Sequence, residues 1–318
     1  MKFGRRPARS ARLVLTAALA AALMAACGGG TSQFETFAPD QYVAFGDENS
    51  LIRPDGKRYT VNPLNASGAI DCATEPIWTQ AVANQYTFVF KECNPNNATE
   101  FKAEMRAAVG ARVDDLKTQI DNQIANGGFK AKSLVTVLVG GHDVLDLYAT
   151  YPQQTEEQIT TELRARGERL AQQVNRLVEL GARVIVSTVP DLGLSPYGLK
   201  QKADFTDTDR SALISRLTAA LNSKFRTTIL NDGRFIGLVL GDESVQAIVK
   251  LPAVFGVTDA AAAVCTTALP DCTSGTLVAS GTSVAYLWAD DRHMAYGGQS
   301  RLGTRSEEHT SELQSPDL

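Results

Sequence analysis

Long hydrophobic runs are missing from this 318-residue chain. A membrane-spanning helix needs about 20 apolar residues, and the longest apolar stretch, Leu13–Ala26, falls short. Histidine is scarce, with three residues, and neither a Cys-x-x-Cys pair nor a His-rich spacing occurs, so a structural zinc site has no ligand set. The absence of Gly-x-Ser-x-Gly argues against an α/β-hydrolase nucleophile elbow. No glycine-rich loop ends in Gly-Lys-Ser/Thr after a strand, which leaves nucleotide hydrolysis unsupported. Excess basic charge is also absent: the net charge is −4 without a basic patch, which argues against nucleic acid as a partner. No internal repeat is visible.

The chain ends have their own character. Five basic residues (Lys2, Arg5, Arg6, Arg9, Arg12) precede the short apolar run, as in a secretion signal over residues 1–26. Met24-Ala25-Ala26-Cys27 resembles a bacterial lipobox, which implies cleavage before Cys27, its lipidation, and a flexible tether over residues 27–38. At the other end, Arg305–Ser315 resembles a reading frame through a sequencing-library adapter. Residues 305–318 are therefore expected to lie outside the fold and to leave its last helix cut short. Beyond Cys27 four cysteines remain: Cys72, Cys93, Cys265 and Cys272. An even number in an exported chain suggests disulfides. Proximity in sequence favours Cys72–Cys93 and Cys265–Cys272, one of three possible pairings.

Between these ends, residues 39–304 read as one domain. "YVAFG" (Tyr42–Gly46), "SLVTVLVGG" (Ser133–Gly141) and "ARVIVSTVP" (Ala182–Pro190) are apolar runs of the kind buried on both faces of a sheet. Arg234–Gly241 and Tyr86–Phe90 add weaker candidates. Helical spacings separate them: Phe101 to Ile124, Ile159 to Val178, and Leu213 to Phe225 after an Asp-rich start. Residues 252–288 break the pattern and read as an excursion pinned by a disulfide. Strands alternating with long amphipathic helices predict a parallel sheet covered on both faces. The site then belongs beyond the carboxyl ends of the strands. That rim gathers Gly46–Ser50, Gly140–Asp143 and Pro190-Asp191.

A further element joins the rim from the end of the chain. In "DDRH", Asp290 precedes His293 by three residues, close enough to hold its Nδ1 and leave Nε2 as a general base. "FGDENSL", "GGHD" and "DDRH", in that order, resemble the blocks of GDSL/SGNH esterases and lipases. The resemblance implies a flavodoxin-like three-layer α/β/α sandwich with a mostly parallel sheet of about five strands. It also implies a serine ester hydrolase with a Ser-His-Asp mechanism, needing no cofactor. Asp290 and His293 match the last block. Gly141, His142 and Asp143 match the Gly-x-Asn-Asp block with His142 at the asparagine, and Gly68 is the candidate second-block glycine that donates to the oxyanion. At the serine position stands Glu48, and Ser50 is the nearest hydroxyl, two residues on. Ser50 as nucleophile requires a lengthened turn.

Two classes of function follow. In the first, Ser50, His293 and Asp290 hydrolyse an ester of a lipid or an acylated glycan, with Gly68 and His142 steadying the oxyanion. The chain would be anchored by Cys27 at the bacterial cell envelope, outer membrane or periplasm. In the second, the fold has lost its nucleophile and serves as a binding or scaffold lipoprotein. Glu48, His142, His293 and Asp290 are also metal-ligand types, but a modified triad explains them better.

Overall fold

The computed structural model describes Met1, residues 37–230 and 233–310, and Leu313. The expected signal, Cys27 and nearly all of the tether lie outside the described residues. The chain divides at residues 35 and 36, and the fold below is that of the C-terminal part.

Five strands form the central sheet: β1 (Gln41–Gly46), β2 (Ala103–Met105), β3 (Ser133–Leu138), β4 (Arg183–Ser187) and β5 (Ile236–Val239). Their order is β2-β1-β3-β4-β5, and every pairing is parallel. β1, β3 and β4 are buried along their whole length. Alternate side chains therefore feed two separate cores. Val43, Phe45, Val135, Val137, Val184 and Val186 meet Leu116, Ile120, Leu163, Leu170, Leu217 and Phe225 on one face. Tyr42, Ala44, Leu134, Leu138 and Ile185 meet Trp78, Val82, Trp288 and Leu302 on the other. Each such side chain contributes roughly 1.5–3 kcal/mol by leaving water. This is the α/β/α sandwich expected from the alternation of strands and helices.

The helices are α1 (Trp78–Gln85), α2 (Val113–Ala125), α3 (Gly141–Tyr148), α4 (Glu156–Glu179), α5 (Pro196–Asp204), α6 (Arg210–Thr228), α7 (Gly241–Lys250) and α8 (Tyr296–Thr310). Their starts follow local chemistry. Thr155 Oγ1 accepts from Gln158 N at 3.3 Å, while Gln158 Oε1 accepts from Thr155 N at 2.8 Å, a reciprocal cap for α4. Asp209 Oδ1 accepts from Ala212 N and caps α6.

Three local expectations are corrected. Tyr86–Phe90 is not a strand; only Phe90 makes isolated bridges, to Cys93 and Ala103. The fifth strand is instead Ala103–Met105, inside the run that reads as helical. The helix starts only at Val113, because Gly110 at φ +72° breaks the run. At the C-terminus, α8 continues through Arg305 to Thr310 instead of stopping. Ser306 and Thr310 are buried, and Thr310 Oγ1 donates to Gln85 Oε1 at 2.8 Å, docking the helix on α1.

The excursion over 252–288 holds a small parallel pair, β6 (Asp259–Ala263) and β7 (Tyr286–Trp288). Both disulfides join sequence neighbours, Cys72–Cys93 and Cys265–Cys272. The first closes the segment carrying α1. β7 delivers the Asp290–His293 turn to the rim.

Candidate active site

In the strand order 2-1-3-4-5 the connections reverse direction between β1 and β3, the position at which such sheets bind ligands. A glycine with positive φ stands at the end of β1 and two residues beyond the end of β3. Gly46 has φ +123°, and a Cβ on it would lie 2.0 Å from the Leu138 carbonyl oxygen. Only glycine allows β1 to turn so close beside β3. Gly140, at φ +121°, performs the matching turn into α3. Residues 48 and 142 are thereby brought to either side of the crevice.

Asp47 caps a single 3₁₀ turn, Glu48–Ser50, accepting from Asn49 N at 2.9 Å and Asn49 Nδ2 at 3.0 Å. With three residues per revolution, residues 48 and 50 point in different directions. Glu48 faces the crevice. Ser50 is wholly buried, its Oγ has no hydrogen-bond partner among the described residues, and its carbonyl accepts from Thr79 Oγ1. The expected nucleophile is thus turned out of the constellation, and the glutamate stands in its place.

Glu48 gathers three donors. Its Oε1 lies 2.7 Å from His142 Nε2 and 3.1 Å from His293 Nε2, and its Oε2 accepts from Gly110 N at 2.8 Å. His293 is held from behind by Asp290, whose Oδ2 lies 2.8 Å from Nδ1. Asp290 Oδ1 also accepts from His293 N at 2.7 Å and Arg292 N at 3.0 Å, so the same carboxylate that orients the ring builds the turn. The Tyr59 ring packs obliquely on the imidazole, with centroids 5.9 Å apart. Behind Tyr59, the buried Arg58 guanidinium donates to the Glu75 carbonyl and to Gln80 Oε1, and Thr60 Oγ1 donates to the Met294 carbonyl.

The cluster's electrostatics follow from these bonds. Burial opposes ionisation of Glu48, but the bonds from His142, His293 and Gly110 outweigh it and hold its carboxyl far below the usual range. Burial would lower the His293 pKa, yet the bonds to Asp290 and Glu48 raise it to about 9. His142 is raised too, first by its bond to Glu48. Asp47 is pushed up to about 6, by burial and then by the charge of Glu48. At neutral pH the crevice therefore holds the Glu48 carboxylate against an imidazolium at His293, with the Asp290 carboxylate behind that ring.

Gly68, the expected oxyanion donor, is elsewhere. It lies in an exposed turn, with its N–H donating to the Asn65 carbonyl at 2.9 Å. Gly110, which follows the second strand of the sheet, is the glycine whose N–H is aimed into the site, at Glu48 Oε2. The glycine interrupting the helical run from Phe101 was the signal for it. Asp143 has a role the sequence did not show. Wholly buried, it accepts from Val113 N at 2.9 Å and Arg166 Nη1 at 2.6 Å, which ties α3 to α2 and α4. It fixes the position of His142 without touching the crevice. Among the described residues, no group of three or more His, Cys, Asp or Glu is arranged to hold a metal ion.

The crevice is lined by Asp47, Glu48, His142, Leu145, Arg292 and His293 with their neighbours, and has room for about 20 Å³. That is about one water molecule beside the carboxylate. Past Gly110 a groove of about 720 Å³ opens between residues 105–112 and the outer face of α2.

A profile for GDSL-like Lipase/Acylhydrolase matches residues 42–302. No curated protein sequence matches the chain. Among solved structures, an acetylxylan esterase from Geobacillus stearothermophilus is 14% identical with a TM-score of 0.43, over 88% of this chain and 100% of that one. A member of the lipolytic protein G-D-S-L family from Veillonella parvula is 9% identical with a TM-score of 0.43, over 84% of this chain and 96% of that one. Since the profile spans both the sheet and the Asp290–His293 turn, the chain belongs to the GDSL-like lipase/acylhydrolase family, which places it among hydrolases acting on esters.

Proposed function

We propose that the chain hydrolyses esters with Glu48, rather than a serine, as the group that activates the attacking oxygen. One observation carries the reading: Glu48 Oε1 stands 3.1 Å from His293 Nε2, in a crevice with room for one water, while Ser50 Oγ is sealed in the core.

A carboxylate attacking an ester carbonyl would form an anhydride, a poor intermediate, so water is the better nucleophile. Once the substrate draws the His142 N–H away from it, Glu48 becomes basic enough to take a proton from the water as the water oxygen attacks the carbonyl carbon. The His142 N–H freed in this way steadies the oxyanion that forms. As the tetrahedral intermediate collapses, protonated His293 gives its Nε2 proton to the departing alkoxide. The proton on Glu48 then crosses the 3.1 Å bond to His293 and restores the starting state. Asp290 keeps the ring oriented and favours its protonated form throughout.

This mechanism has a pH signature opposite to that of a serine triad. A triad needs neutral histidine, so its rate rises as the base loses its proton. Here His293 must begin protonated and Glu48 ionised. kcat/KM for a short-chain alkyl ester, whose departing alkoxide needs the proton, is therefore expected to fall as pH rises through about 9. A rate that climbs through the same range defeats the proposal.

A binding role is favoured by a different observation: the donors from Gly110 and His142 are both occupied by the Glu48 carboxylate, as though an anion already sat in the oxyanion site. Purified chain that turns over no short-chain ester at any pH would establish that reading instead. The substrate we propose is an ester of a lipid or an acylated glycan, its alcohol part lying in the groove beyond Gly110. The signal-like start and Cys27 support attachment to the bacterial cell envelope. Palmitate labelling lost in Cys27→Ala tests that attachment, and undiminished labelling excludes it.

A further inference from the structure

The turn that presents His293 also presents Arg292, and the hydrolytic scheme leaves it without work. Its backbone N–H is fixed by Asp290 Oδ1 at 3.0 Å, so the turn that orients the imidazole also fixes where residue 292 emerges. The side chain lines the crevice together with Glu48, His142 and His293. Its charge lies close enough to His142 to oppose protonation of that ring.

Few groups compete for this cation. Its Nε is buried without a hydrogen-bond partner. The neighbouring carboxylate, Asp291 Oδ1, stands 3.9 Å from Nε, beyond hydrogen-bond range, and its side chain is half exposed. Asp290 is committed to His293 and to the turn, and Glu48 to its three donors. Other arginines near the rim are engaged: Arg166 on Asp143, and Arg112 on Asp146 and the Gly110 carbonyl. A planar guanidinium, 39% exposed at the lip of the crevice, is suited to paired hydrogen bonds with a carboxylate.

We infer that Arg292 selects esters that carry a carboxylate a few bonds from the scissile carbonyl, holding that carboxylate at the lip while the ester lies over Glu48. This rests on the ester-hydrolase reading above and narrows its substrate class. The acid group can belong to the acyl part or to the alcohol part, and two matched substrate pairs separate these sources. Nitrophenyl hemisuccinate against nitrophenyl butyrate reports the acyl side, and O-acetylglycolate against O-acetylglycolamide the alcohol side.

The expected result is a preference in kcat/KM for the charged member of at least one pair. In Arg292→Gln the charged-to-neutral ratio should fall about tenfold to a hundredfold, the worth of one charge-assisted hydrogen-bonded pair. Arg292→Lys, which keeps the charge but not the planar fork, should restore part of the ratio, and added salt should shrink it. No preference in either pair, or a ratio unmoved by Arg292→Gln, overturns the inference. A second measurement is independent of turnover: calorimetric titration of succinamate, whose amide stands in for the ester, into the unmodified chain. Binding weakened at least tenfold by Arg292→Gln supports the carboxylate site even if no ester is hydrolysed, and absence of binding counts against it.

Discussion

Glu48→Gln is expected to lower kcat for a short-chain alkyl ester by about 10²–10⁴-fold, the usual contribution of a general base, while Ser50→Ala leaves it near the parent value. Glutamine keeps the size of the side chain and an oxygen able to accept from Gly110, but it cannot take a proton from water. It also removes one of the two carboxylates that raise His293. The imidazolium then loses part of its support, and any residual activity should lose its decline near pH 9. Ser50→Ala deletes a hydroxyl that is wholly buried and bonded to nothing among the described residues. Its effect should be confined to small changes in stability. Fluorophosphonate labelling separates the alternatives directly. A serine nucleophile gives an adduct on Ser50 and the reverse pattern of the two variants. If Ser50→Ala is dead and Glu48→Gln active, the lengthened-turn esterase is correct and the scheme above fails.

The largest loss of stability is expected at Gly46→Ala, on the order of 4 kcal/mol, which for many domains means little folded protein. Two penalties coincide there. The backbone sits at φ +123°, where a side chain is strained, and the new Cβ would lie 2.0 Å from the Leu138 carbonyl oxygen. That oxygen is backbone on the neighbouring central strand and accepts from Asp47 N at 3.0 Å, so it cannot move without unpairing the sheet at the crevice. Gly140→Ala makes the informative comparison. Its φ is similar, but its nearest obstacle is the Val189 Cγ2 methyl at 2.9 Å, a side-chain atom that can yield. Urea unfolding should therefore rank Gly46→Ala well below Gly140→Ala, and equal stabilities would show that the Leu138 clash is relieved at little cost.

The sequence showed the sheet through composition. β3 and β4 are β-branched runs and β1 an aromatic and aliphatic one, all three buried on both faces. Ala103–Met105 was not legible because an edge strand of three residues leaves little pattern, and its flanking apolar spacings mimic a helix. The Asp290–His293 pair was legible because its contact is local, three residues apart within one turn. Which residue of Glu48-Asn49-Ser50 faces it was not legible, because that depends on the pitch of a single 3₁₀ turn. Gly110 showed in the sequence as a break in a helical run, but its part in the site did not. Its role is a backbone N–H aimed across 62 positions of sequence, and residue type does not encode that direction.

The Glu48–His293 contact joins residues 245 positions apart and, with His142 and Asp290, works as a clasp between the start and the end of the domain. The clasp has a titratable pin. His293 has a folded pKa near 9 against an ordinary value of 6.5. Its contribution to stability, roughly 3 kcal/mol from the size of that shift, is therefore fully present below pH 6.5 and is lost as pH rises through 9. The proton required for leaving-group departure is thus also the one that fastens the Asp290–His293 turn to β1. Alkaline solution withdraws the chemistry and loosens the end of the chain together.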